Sequence, residues 1–175
     1  EQAGLMPTRE WKKRTRNEPW HGGETLITGI GQGYVLTTPL QLAVMTARIA
    51  NPSGSAIKPR LTRALSGQPV APVEVEKLDF AAANMDLIRN GMDRVVNQPT
   101  GTARRSQTGI PGFDMAGKTG TVQVRRIGKL EREQGVRKNS DLPWRERDHA
   151  LFVAYAPVDN PRYAIAVVVE HGGGG

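Results

Sequence analysis

Ala116-Gly-Lys-Thr-Gly-Thr-Val-Gln-Val124 is the stretch on which the reading of this chain turns. From Thr119 to Val124 it is rich in β-branched residues, which predicts a strand. At the mouth of that strand stand Lys118, the hydroxyls of Thr119 and Thr121, and the glycines Gly117 and Gly120. A cation, two hydroxyls and bare backbone along one strand suit an anionic ligand lying beside it.

Downstream, Arg125 to Asp148 is a long charged segment with Pro143 and Trp144 inside it. Segments of that length are functional or disordered when they lack regular structure. Ala150–Ala156 and Arg162–Val169 then read as strands. Pro157-Val-Asp-Asn-Pro161 joins them as a turn, so an antiparallel hairpin is expected. Their continuous apolar runs predict burial on both faces. Gly172 to Gly175 offers no side chain to pack.

Upstream, Thr38-Pro-Leu-Gln41 carries a cap, a first-turn proline and a capping-box partner, predicting a helix over about 39–50. Leu42, Met45 and Ile49 share a face and Arg48 is its only charge, so it is expected to be mostly buried. A second helix is expected over about 80–96, capped by Asp79 or a neighbour. Its apolar stripe is Leu87/Ile88, Met92 and Val95/Val96, and Asp86, Arg89, Asp93 and Arg94 face solvent. Between the helices the reading is an extended piece from Lys58 to Ala64, a loop from Ser66 to Pro72, and an edge strand from Val73 to Leu78. Thr100 to Phe113 is a Gly-, Thr- and Ser-rich loop leading to the central strand.

Residues 1–25 read as loop, with a short helix starting at Thr8 and an exposed charged run from Lys12 to Arg16. Leu26 to Gly33 reads as extended, because Gly29, Gly31 and Gly33 recur at every second place. Late strands and earlier helices together give an α+β, or mixed α/β, class with helices flanking an antiparallel sheet.

A chain of 175 residues is the size of one domain or a large part of one. No apolar run approaches the roughly 20 residues that span a bilayer. No signal peptide opens the chain, and Glu1-Gln-Ala-Gly reads as mid-protein sequence. The absence of cysteine excludes disulfides and thiolate metal sites. The net charge of +7 comes mainly from Arg9–Arg16 and Arg125–Arg147. No zinc pattern, helix-turn-helix or aromatic RNP box accompanies it, so nucleic acid is not the expected partner.

Gly112-Phe-Asp-Met-Ala-Gly-Lys-Thr119 matches the phosphate-binding P-loop pattern letter for letter. That loop needs a strand before it and a helix after it, whereas here a loop precedes and a strand follows. A nucleotide-binding module is therefore a minor alternative. Ser55-Ala-Ile-Lys58 matches the Ser-x-x-Lys nucleophile pattern, which works when both residues sit one helical turn apart. Pro59 disfavours helix at Lys58, so Ser55 reads as a loop serine. No Ser-x-Asn or Tyr-x-Asn follows. His21, His149 and His171 lack partners at catalytic or metal spacing and read as structural.

Lys118-Thr119-Gly120 is also the third signature triplet of penicillin-binding proteins and serine β-lactamases. Four further stretches accompany it in order: Met6-Pro-Thr-Arg-Glu-Trp11; Gly29-Ile-Gly-Gln-Gly-Tyr34 with Thr38-Pro-Leu-Gln41; Arg147-Asp-His-Ala-Leu-Phe-Val-Ala-Tyr-Ala156; and Asp159-Asn-Pro-Arg-Tyr163 through Glu170-His-Gly-Gly173. With these the chain resembles the C-terminal part of the transpeptidase domain of class B penicillin-binding proteins, of the Gram-negative elongation type.

The resemblance implies a five-stranded antiparallel sheet between helices, its last three strands at about 117–125, 150–156 and 162–170. The serine nucleophile, its lysine and the second signature are expected upstream of Glu1, and a final helix beyond Gly175. The implied reaction is D,D-transpeptidation of peptidoglycan stem peptides by serine acyl transfer, with β-lactams as mimics of the D-Ala-D-Ala end. Lys118 would supply positive potential. Thr119 and Thr121 would bind the carboxylate, Gly120 would keep the edge bare, and the Thr121 N–H would donate in the oxyanion hole. No cofactor or metal is implied. The intact protein would be anchored at the periplasmic face of the inner membrane, with a glycosyltransferase of the elongation machinery as partner. A β-lactam sensor or class D-like β-lactamase of the same fold is the other alternative.

Overall fold

The computed structural model describes residues 2–71 and 73–175; Glu1 and Pro72, the end of the expected 66–72 loop, lie outside the described residues. Its elements in order are α1 Arg9–Arg16, α2 Gly22–Gly29, α3 Pro39–Ala50, β1 Ala64–Leu65, β2 Gln68–Pro69, α4 Ala82–Asn97, β3 Ala116–Val122, α5 Lys129–Gln134, β4 His149–Ala156 and β5 Tyr163–Val169. The late strands form a sheet of order β3-β4-β5, antiparallel as the short β4–β5 connection requires.

The chain divides into two compact units. One takes in the chain up to Gln41, Gly120–Leu151 and Val168–Gly175; the other is Leu42–Thr119 with Phe152–Val167.

In the first unit, the Trp11 amide donates to the Thr8 hydroxyl at 3.0 Å and starts α1, as expected. Lys12 corrects the expectation of an exposed charged run, because it is only 1% exposed. Its ammonium donates to the Pro19 carbonyl at 2.8 Å and pairs with Glu24 at 2.6 Å. The bond from Lys12 and the bond from the His21 amide to Glu24, 2.7 Å, both hold the Glu24 carboxyl below its ordinary value, the backbone bond most strongly. Glu24 in turn pushes the Lys12 ammonium up.

That anchoring also explains α2, which replaces the end of the expected 1–25 loop and the first half of the expected extended segment Leu26–Gly33. Glu24 in the first turn satisfies the His21 amide, and Gly31 and Gly33 take left-handed φ of 75° and 74° beyond the helix end. The alternate-glycine pattern marks a helix exit, because a residue without a side chain carries no face information. The Thr38 amide donates to Gln41 at 2.9 Å and the Gln41 amide to Thr38 at 3.1 Å, the capping box expected for α3.

In the second unit the core is Ala50, Met92, Ala116 and Tyr155, with Ile49, Val153, Val158 and Ala164 packed against it. Burial lifts the Tyr155 phenol above its ordinary range. Helix α3 is less buried than expected: only Thr46 and Ala50 are fully covered and Met45 is exposed. Helix α4 starts at Ala82 from Ala81, with no side-chain cap, so Asp79 does not serve. Met92 and Val96 are buried, but Leu87 is 71% exposed. Arg89 turns inward to donate to the Ile49 carbonyl at 2.9 Å.

Val73–Leu78 forms no strand. It contributes one bridge, Ser55 to Lys77, while β1 and β2 close a hairpin through Ser66 and Gly67, both at positive φ.

Strand β3 ends at Val122, short of the expected 125. The Arg125 guanidinium forks onto Glu131 of α5 at 2.7 and 2.6 Å, turning the chain away. The charged segment is therefore partly ordered, with α5 and two 3₁₀ turns at Asn139–Asp141 and Trp144–Glu146. Burial on both faces does not hold for the hairpin. Strand β4 is half-buried to buried, whereas β5 exposes Ile165, Val167 and Val169. The terminal glycines do pack: the Gly173 amide donates to the Asp148 carbonyl at 2.9 Å.

Candidate active site

Lys118, Thr119, Gly120 and Thr121 all lie on β3, an edge strand in the order β3-β4-β5. Strand alternation sends Lys118 to one side and the Thr119 and Thr121 side chains to the other. Lys118 is exposed, and its ammonium donates to the Thr119 carbonyl at 2.8 Å. Among the described residues it makes no ion pair. A lysine left without a carboxylate partner is available to an external anion.

The Thr119 hydroxyl lies 3.1 Å from that of Thr102. Thr121 is exposed; its carbonyl accepts from Gln32 Nε2 at 2.8 Å and its hydroxyl from the Gly175 amide at 3.2 Å. At Gly120 an added Cβ would meet the Leu151 Cβ at 3.3 Å, and at Gly117 it would meet Phe152 Cζ at 2.5 Å. The two glycines thus let β3 and its neighbour approach closely.

The candidate residues of the sequence are therefore brought onto one strand. Thr102 and Gln32 were not singled out by sequence reading. They lie 17 and 89 residues from their partners, Thr102 in the Gly-, Thr- and Ser-rich loop and Gln32 in the Gly29–Tyr34 stretch, and neither spacing announces a contact with β3.

The nucleotide alternative at Gly112–Thr119 is overturned. Lys118 and Thr119 are within a strand, so no helix N-terminus follows to face a phosphate. Ser55 bridges to Lys77, and its hydroxyl pairs with Ser53 at 2.7 Å; Ser55 and Lys58 share no helix.

His149 Nδ1 accepts from the His171 amide at 2.8 Å. His171 Nδ1 lies 2.9 Å from the Arg147 carbonyl, and Trp144 meets the His171 ring edge-on at 4.5 Å. These histidines tie loop backbone together. Among the described residues no group of three or more His, Asp or Glu could hold a metal. None of the described helices is long and apolar enough to cross a membrane.

The penicillin binding protein transpeptidase domain family matches residues 1–175. The peptidoglycan D,D-transpeptidase MrdA of Haemophilus influenzae is 38% identical, over 100% of this chain and 27% of that protein. The structure of Pseudomonas aeruginosa PBP2 in complex with WCK 5153 is 42% identical, with a TM-score of 0.77 over 98% of this chain and 34% of that one. The complex of PBP2 and MreC from Helicobacter pylori is 34% identical, with a TM-score of 0.79 over 100% of this chain and 29% of that one. The chain spans about a quarter of the length of the curated relatives it matches, 27% of the Haemophilus protein. With the KTG strand in place and the match running from end to end, the chain belongs to the penicillin-binding protein transpeptidase domain family and is similar to its PBP2, or MrdA, members.

Proposed function

We propose that residues 1–175 are the C-terminal portion of the transpeptidase domain of a peptidoglycan D,D-transpeptidase, and that β3 is one wall of its acyl-transfer site. The observation that carries this reading is the Lys-Thr-Gly-Thr run on an exposed edge strand in a chain of this family. In the reaction a serine oxygen attacks the penultimate D-alanine carbonyl. The C–N bond to the last D-alanine breaks, and that amine leaves with a proton. A stem-peptide amine from a neighbouring strand then takes the acyl group and frees the serine. The serine and its lysine base are supplied by parts of the intact domain outside these 175 residues, since Ser55 and Lys58 lie on no helix.

In this reading Lys118 supplies positive potential. The Thr119 and Thr121 hydroxyls bind the substrate or β-lactam carboxylate. The Thr121 amide donates to the oxyanion, and Gly120 keeps the edge clear; an oxyanion donor is worth about 10²–10³ in rate. The intact protein acts at the periplasmic face of the inner membrane in cell elongation. A glycosyltransferase and a protein of the MreC type, as in the Helicobacter pylori PBP2 complex, are its partners.

The test is intact mass after incubation with a reactive penicillin, on this chain and on the full-length protein. An adduct on the full-length protein only, lost on Lys118→Ala, is the expected result. An adduct on the short chain would overturn the assignment of the nucleophile, and none on either would overturn the transpeptidase reading.

A further inference from the structure

We propose that Thr102 is a positioning residue for Thr119, holding its hydroxyl so that its proton points to an anionic carboxylate. The proposal rests on the carboxylate-binding role given to Thr119 above.

The two hydroxyl oxygens are 3.1 Å apart, a single hydrogen bond whose donor is not fixed by distance. Chemistry fixes it once a ligand binds. A threonine hydroxyl has one proton. If Thr119 gives that proton to a carboxylate, the bond between the threonines can only run from Thr102 to Thr119. The donated bond polarises the Thr119 O–H and strengthens its bond to the anion. It also selects one side-chain rotamer at Thr119, so less freedom is lost when the ligand arrives.

The arrangement works only if Thr102 is itself held, and the end of α4 holds it. The Gly101 amide donates to the Gln98 carbonyl at 3.0 Å, the Ala103 amide to the Val95 carbonyl at 3.0 Å, and the Arg104 amide to the Gly101 carbonyl at 3.2 Å. Gly101 lies against the helix so closely that a Cβ would meet the Arg94 carbonyl at 2.6 Å. Ala103 is buried on the other side of Thr102. The last residue of α4, Asn97, donates from one amide nitrogen to Asp93 at 2.7 Å and to the Met115 carbonyl at 3.0 Å. Met115 is the residue before β3. The helix end that carries Thr102 and the strand that carries Thr119 are thus tied at their roots. The Thr102 side chain is exposed, and its bond to Thr119 is the only one it makes among the described residues. An exposed hydroxyl with a single partner contributes little to stability, which separates this role from a structural one.

The experiment uses the full-length transpeptidase with Thr102→Val, Thr102→Ser, Thr119→Val and the Val/Val double substitution. The probes are a penicillin with its free carboxylate and the methyl ester of the same penicillin. Dissociation constant and limiting acylation rate are read separately. Thr102→Val is expected to weaken binding of the acid about 2- to 10-fold, the worth of one hydrogen bond, with the limiting rate unchanged. Thr102→Ser retains the wild-type value, the ester binds Thr102→Val and wild type alike, and Thr102→Val adds no loss to Thr119→Val. Equal losses with acid and ester, full additivity, or wild-type binding by Thr102→Val while Thr119→Val is impaired would each overturn the proposal alone. Wild-type binding of the acid by Thr119→Val would instead overturn the carboxylate site on which it rests.

Discussion

Replacing either of two glycines by alanine, one on β3 and one on α4, is expected to change stability in opposite directions. Gly117 is buried, and a Cβ there would lie 2.5 and 2.9 Å from the Phe152 ring and 2.8 Å from the Val153 carbonyl. The ring edge can swing, but the carbonyl belongs to the strand and cannot move without the sheet. Overpacking of this kind costs about 1–3 kcal/mol. Restricting the unfolded chain returns about 0.4–1 kcal/mol. The two subtract to a loss of at most about 2.6 kcal/mol, and the immovable carbonyl puts Gly117→Ala in the upper part of that range, about 1–2.5 kcal/mol, or a fall in Tm of about 2–10 °C at this chain size.

Gly91 lies inside α4 with nothing within 4 Å of its Cβ position. There only helix propensity changes, so Gly91→Ala gains about 1 kcal/mol and raises Tm by about 2–4 °C. Urea and thermal unfolding of the two variants beside the parent read both signs. A Gly117→Ala protein as stable as its parent, or more stable, would refute the packing assigned to the β3–β4 contact, and a Gly91→Ala loss would refute the open space assigned to α4.

Thr38→Ala removes the α3 cap and is expected to cost about 1 kcal/mol in urea unfolding, with Thr38→Ser close to neutral. The Arg125 fork is the main cause that holds the Glu131 carboxyl down, from 4.5 to about 2. Its folded value lies below its unfolded one, so its contribution is full above about 4.5 and is lost as pH falls through about 2. Glu131→Gln should flatten the acid limb of a urea-midpoint-versus-pH curve over that window and change its neutral limb downward. Lys12→Met leaves Glu24 without its cation and the Pro19 carbonyl without its side-chain donor. It should lower Tm more than Lys13→Met on the exposed side of the same helix, read by scanning calorimetry.

What the sequence by itself determined was local. The starts of α1 and α3 were legible because a capping threonine reaches only two or three residues ahead. The core of β3 and the β4–β5 hairpin were legible because β-branched runs and a proline-bounded turn act over neighbouring positions. The Lys-Thr-Gly triplet was legible as a strand motif rather than a phosphate loop for the same reason.

What needed the tertiary structure depends on residues distant in the chain. Lys12 looked like solvent-exposed charge until the Pro19 carbonyl and Glu24 enclosed it. Helix α2 was hidden behind its own exit glycines. Strand β3 ended early because Arg125 found Glu131, and the closing glycines found partners in backbone that no side-chain pattern announces. Thr102 and Gln32 meet β3 only after α4 and the Gly31–Gly33 turn have folded. Periodicity and capping report the free energy of a chain with its neighbours in sequence. The partners of a polar group, settled within about 3.2 Å, and the face of a strand that is covered depend on what packing brings together.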